Sequence, residues 1–132
     1  MKENELRVGN LVLIDSDIWG AVSEIRSNHA KVLYKGEVNG EVSERISLIE
    51  FIRLSPIPLT EEWLLKFEFI KTYENPFIEY EWSLGEFQIS NEFESYLGKY
   101  GDVIKSVHQL QNLYFALTGE ELKINSLNNL HH

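Results

Sequence analysis

The sequence predicts an α+β protein: an N-terminal SH3-like small β-barrel followed by a helix–antiparallel meander–helix unit. Three observations carry this. Turn signals divide residues 8–54 into about five short apolar or alternating segments, the pattern of a compact all-β unit. Two prolines in "SPIPLTEEW" (55–63) then stop that pattern, because proline fixes φ and has no N–H for a ladder. After the prolines, two segments of helical spacing flank a run that alternates with period two. The expected domains are a small β-barrel over 1–55 and an α-β-β-β-α subdomain over 56–132, with a frayed tail after about residue 125.

In the first third, "VGNLVLI" (8–14) is an apolar run and "DSD" (15–17) a turn cluster. "IWGAVSEI" (18–25) places Trp19, Ala21 and Ser23 on one side and Ile18, Gly20 and Val22 on the other. "SNH" (27–29) turns the chain into "AKVLYK" (30–35). Asn39-Gly40 is the dipeptide a type I′ hairpin favours, since both central residues need φ > 0. "EVSERISL" (41–48) returns and "FIRL" (51–54) closes the set. Gly20, inside a strand, suits the sharp bend of a small barrel.

In the remainder, Thr60 is a good N-cap for "EEWLLKFEF", and Glu61 and Glu62 complement the helix dipole. Leu59 and Leu64 occupy the positions of a hydrophobic staple. Trp63, Leu64 and Phe67 form the buried stripe. "FIEYEWSL" (77–84) reads as a half-buried strand, with Ile78, Tyr80, Trp82 and Leu84 inward. "EFQIS" (86–90) and "FESYL" (93–97) follow, and "DVIKS" (102–106) and "ELKI" (121–124) are further short-strand candidates. Ser106 caps the last helix, Gln109 completes a capping box, and Gly119 gives the left-handed stop.

Composition removes several chemistries. The chain has 132 residues with 21 acidic against 12 basic side chains, a formal charge of −9, and no Lys/Arg cluster. A face that neutralises phosphates is therefore not expected, and nucleic acid is not an expected partner. The absence of cysteine excludes disulfides, thiolate nucleophiles and cysteine-based zinc sites. No leader pattern and no apolar run long enough to span a bilayer is seen, so a cytoplasmic protein without membrane contact is expected. The closing His131-His132 pair is left out of functional argument.

The segments "ELRVGN" (5–10), "PIPLTEEWLLKF" (56–67) and "VHQLQNLYFALTGEEL" (107–122) resemble recurring segments of a family of small proteins of Bacteroidota genomes, prophages and phages. The resemblance spans both ends and the middle of the chain. It does not extend in detail over 68–105, and Glu68 stands where the family pattern has glycine. It implies a mobile-element accessory protein and supplies no catalytic residue.

Motif by motif, little chemistry survives. "DSDIWG" (15–20) opens like a calcium loop, but the fifth position is Trp19 and the twelfth is Arg26, so two oxygen ligands are missing. His29 and His108 stand in different predicted subdomains, with no further zinc-ligand pattern. Phosphate-loop glycine patterns are absent, and "LGKYGD" (97–102) reads as a turn. Glu61/Glu62 and Glu79/Glu81 read as solvated carboxylates. No catalytic residue, metal site or cofactor is expected.

One helix face stands out. At about 100° per residue, Leu113, Leu117, Leu110, Tyr114 and Val107 form an apolar stripe. Phe115 lies away from it among His108, Gln111 and Asn112. Leu65 repeats this on the first helix. His108, Gln111, Asn112 and Phe115 are therefore the binding candidates, with the three polar residues partly exposed at the mouth of a groove and Phe115 packed internally. A homodimer contact and a partner or ligand site are the alternatives to internal packing. The function expected is a non-enzymatic accessory protein that binds a host protein or sequesters a small ligand. The alternatives are an enzyme on a small molecule using His108 and carboxylates, or a structural docking module.

Overall fold

The computed structural model describes residues 1–74, 80–92, 95–98 and 101–124. It is α+β, with two antiparallel sheets and two α-helices, and divides into units Met1–Ile57 and Pro58–His132. The division falls inside the Ser55–Leu59 stretch where the prolines end the strand pattern.

The first unit holds strands β1 (Leu11–Ile14), β2 (Ile18–Ile25), β3 (His29–Val38), β4 (Glu41–Glu50) and β5 (Leu54–Ser55). Their order in the sheet is β4-β3-β2-β1-β5. Turn chemistry sets this register. Asp15 and Ser16 take φ of 52° and 57°, and the Asp17 N–H donates to the Ile14 carbonyl at 3.1 Å. Asn39 and Gly40 take φ of 54° and 82°, the pair of positive values that a type I′ turn requires. With that turn fixed, β3 and β4 pair over ten residues each, from His29↔Glu50 to Val38↔Glu41. β2 reaches β3 only as far as Gly20↔Tyr34, so the ribbon beyond Tyr34 stands clear of the rest of the sheet.

One sheet face carries the core of this unit. Val12, Ile14, Val22, Ala30, Val32, Ile49 and Leu54 are buried there with Leu6 and Phe51. A bulge between Val22 and Glu24 keeps Ile25 opposite Ala30 and on the core side. The Tyr34 and Ser47 hydroxyls lie 2.9 Å apart across the β3–β4 ladder. The sheet is open: among the described residues nothing pairs β4 with β5. "FIRL" is the reason. Phe51–Arg53 winds into a 3-10 turn that buries Phe51, which leaves Leu54 and Ser55 to pair with Ile14 and Leu13.

The second unit runs α1 (Glu61–Lys66), β6 (Ile70–Glu74), β7 (Tyr80–Leu84), β8 (Phe87–Glu92), β9 (Ser95–Gly98), β10 (Val103–Ile104) and α2 (Val107–Thr118). Each strand lies antiparallel to the next. The Thr60 hydroxyl accepts from the Trp63 N–H, as a cap should, and Leu59 and Leu64 are both buried. Past the C-cap Phe67 of α1, Glu68 takes a φ of 68°, and the Phe69 N–H donates to the Leu64 carbonyl at 3.0 Å. β6 lies where the sequence pattern gave no element. Residues 121–124 form no strand, although Leu122 is buried. Ile78 and Glu79, the start of "FESYL" and the tail after 125 lie outside the described residues.

α2 begins on a full capping box: the Gln109 N–H donates to the Ser106 hydroxyl, and the Gln109 side chain accepts from the Ser106 N–H at 3.2 Å. The bridge Pro58↔Ser106 ties the start of the unit to this cap. Phe87 meets Phe69 and Tyr114 edge-on, at 6.1 Å and 5.1 Å between centroids. Leu64, Phe67, Trp82, Ile89, Ile104, Val107 and Leu110 complete the interior. Trp63 is only half-buried and stacks at a tilt on Phe67.

Candidate functional site

The four helix residues singled out in the sequence do not form a groove mouth. His108 and Gln111 are buried, with 5% and 2% of their surface exposed. Asn112 is half-buried, and Phe115 keeps 40% of its surface. The expected roles are thus exchanged: two polar residues lie inside and the aromatic lies toward solvent. His108 belongs to the helix start, with its Nδ1 3.0 Å from the Ser106 hydroxyl. That hydroxyl already takes the Gln109 N–H, so the pair is a cap with an imidazole attached. Leu117 and Leu65, at 52% and 59% exposed, are the other apolar residues these helices leave uncovered.

The remaining sequence candidates are absorbed by ordinary structure. The Asp15 carboxylate accepts two hydrogen bonds from Arg53, from Nε at 2.9 Å and from Nη2 at 2.7 Å. The Arg53 hydrogen bond holds the Asp15 carboxyl below the usual carboxylate range, and Asp15 in turn raises the guanidinium. Glu24 is held low in the same way by Lys31 first and Arg26 second. Glu61 faces Lys71 at 3.8 Å, and the Lys71 ammonium stands 3.7 Å over the Tyr80 ring. Glu62 faces Lys66 one turn on. Nearby, burial raises the Tyr96 hydroxyl, and the Glu61 charge adds to it against a hydrogen bond from Asn91. In "LGKYGD" the Gly101 N–H donates to the Gly98 carbonyl at 3.0 Å, while Lys99 and Tyr100 lie outside the described residues. Among the described residues no three potential ligands converge on a metal position, and no helix is long and apolar enough to cross a membrane.

A different surface carries the apolar exposure. On the face of the first sheet opposite its core, the ladder sets Leu11, Ala21, Leu33 and Ile46 in one row across β1, β2, β3 and β4. Trp19 lies beside this row on β2, and Leu48 beside it on β4, opposite Lys31. Leu33, Trp19, Leu48 and Ile46 expose 37%, 41%, 47% and 64% of their surface. Val42, on the same side of β4, is also exposed, as is Val38 at the hairpin tip. β4 is the outermost strand of the sheet, so its second edge has no strand partner among the described residues. Single exposed apolar residues are ordinary, but a contiguous group beside an open edge is the form of a contact surface. The sequence held the signal in the alternation of "EVSERISL", whose even positions are apolar at Val42, Ile46 and Leu48 and whose odd positions are mostly polar. The buried side of β4 is in fact the odd one, through Ile49.

Comparison with known proteins finds no matching family model, no matching curated protein and no matching solved structure.

Proposed function

We propose that the protein is a non-enzymatic binding protein, an accessory protein of a mobile element, that docks a host protein on the outer face and open edge of its first sheet. The observation that carries this reading is the apolar group Trp19, Leu33, Ile46 and Leu48 beside the unpaired edge of β4. A partner strand laid along β4 gains main-chain hydrogen bonds from the edge and side-chain burial from Ile46, Leu48 and Leu33. The projecting β3–β4 ribbon lengthens that edge. The strand order β4-β3-β2-β1-β5 and the 3-10 turn before β5 support an open relative of the SH3-like barrel as the docking module, joined to a helix–meander–helix unit. The resemblance of residues 5–10, 56–67 and 107–122 to Bacteroidota and phage proteins supports a mobile-element origin and action in the cytoplasm of the bacterial host. The alternative, an enzyme on a small molecule, would use His108, which is buried with its Nδ1 3.0 Å from the Ser106 hydroxyl.

The test is quantitative co-purification from the native host with the natural chain and with Ile46→Asp/Leu48→Asp. Both positions are exposed, so the fold and its melting temperature should hold. Loss of one stoichiometric protein partner from the variant is the expected result. A partner that co-purifies equally with both chains overturns the assignment of this surface, and a variant that alone turns dimeric wild-type chain into monomer makes the surface a self-contact instead.

A further inference from the structure

A groove of about 560 Å³ lies within the second unit, between the β7–β8 turn and the last turn of α2. Its lining is mixed: Leu84, Phe87 and Leu117 give an apolar part, Gln88 and Thr118 add polar groups, and Glu86 and Glu120 bring carboxylates. No basic residue lines it. Neither carboxylate has a cationic partner among the described residues. Tyr114 also lines the groove. It is nine-tenths buried and meets the Phe87 ring edge-on at 5.1 Å between centroids.

The helix adds to the same field. The C-terminal end of α2 is the negative pole of its dipole, and cations normally compensate that pole. The last turn of α2 contains no basic residue, and the chain continues with Glu120 and Glu121. Charge in the whole unit points the same way, since 12 of the 21 acidic residues follow Ile57 against five of the 12 basic ones. The volume is that of a small-molecule site. We infer that the groove binds a small organic cation, a protonated amine on an apolar body. The body packs between Leu84, Phe87 and Leu117, and the ammonium donates to Glu86 and Glu120. This site is separate from the sheet surface proposed above, and either stands without the other.

The experiment is an amide-resolved NMR titration of the full chain with 2-phenylethylammonium, and with 2-phenylethanol as the neutral isostere. The cation is expected to shift Leu84, Gly85, Leu117 and Thr118, and the alcohol to bind at least about fivefold more weakly, the upper range for an ion pair open to water. Glu86→Gln and Glu120→Gln should each weaken the cation by up to about fivefold, and added salt should do the same. Leu117→Lys, at an exposed position, should abolish binding without unfolding the chain. Shifts confined to other residues, equal binding of alcohol and ammonium, or a Leu117→Lys chain that binds as before would each overturn the inference. So would an exposed Lys-rich peptide that shifts the groove while the small amine does not, since the occupant is then a protein segment.

Discussion

The Ser106 hydroxyl and the His108 Nδ1 lie 3.0 Å apart, both buried, at the first turn of α2. One oxygen therefore does two things: it caps the Gln109 N–H and gives the buried imidazole a partner. Removing it leaves a helix end uncapped and takes one hydrogen-bond partner from a buried imidazole.

Ser106→Ala should accordingly cost about 2–3 kcal/mol in chemical denaturation, since cap loss alone is worth about 1–2 kcal/mol and the partner taken from the buried imidazole adds to it. Ser106→Ala combined with His108→Leu should recover part of that loss, because the buried imidazole that lost the hydroxyl is then gone. Equal losses in the single and double variants would show that the contact contributes nothing.

The same pair shows where sequence reading reached its limit. The capping box, the Thr60 cap, the Asn39-Gly40 turn and the alternation of β2 were legible because each rests on local backbone chemistry. The sides of α2 were not. Its buried residues are Val107, His108, Leu110, Gln111 and Tyr114. At about 100° per residue their arc is turned by roughly 80° from the apolar stripe. Two polar residues lie in it, and for His108 the Ser106 hydroxyl supplies a local partner, which composition does not reveal. Phe115 sits on the His108–Gln111 side, a turn or more later, and is exposed there. β6 was missed because Lys71 and Thr72 interrupt its apolar pattern. The apolar row of the outer sheet face needed the register, since Leu33 and Ile46 are neighbours only through the ladder.

Gly20 has no room for a side chain. A Cβ there would stand 2.6 Å from the Val32 Cγ1 and 2.8 Å from the Leu33 carbonyl oxygen. Gly20→Ala should destabilise the first unit by about 1–3 kcal/mol, the usual cost of overpacking. Gly40→Ala makes the contrast: its Cβ meets nothing, and any loss there comes from the φ of 82° alone.

Glu68 occupies the left-handed region at the end of α1, where glycine is the favoured residue. Glu68→Gly should stabilise the chain by about 0.5–1 kcal/mol, after the entropy that glycine adds to the unfolded state is set against the relieved strain. Thermal melting at neutral pH measures it. A lower melting temperature would mean that the glutamate side chain contributes more than its backbone costs.

The Asp15–Arg53 pair gives a pH signature. The folded carboxyl titrates below its ordinary value, so its contribution is fully present above about pH 4 and is lost as pH falls through the lower folded value. Asp15→Asn tolerates the same φ of 52° while removing the charge. The gap in stability between the two chains should be constant from about pH 5 to 8 and shrink below about pH 4. A gap that instead widens toward acid pH would contradict the pairing.

Amide hydrogen exchange of the chain with and without its co-purified partner tests the docking surface most directly. Residues 41–50 form the one long edge strand of the first sheet, and a strand added along it engages alternate amides. Alternate amides of β4 are expected to slow on complex formation, with Ile46→Asp/Leu48→Asp removing the effect. Unchanged exchange along 41–50, with protection appearing on α2 or elsewhere, would contradict it.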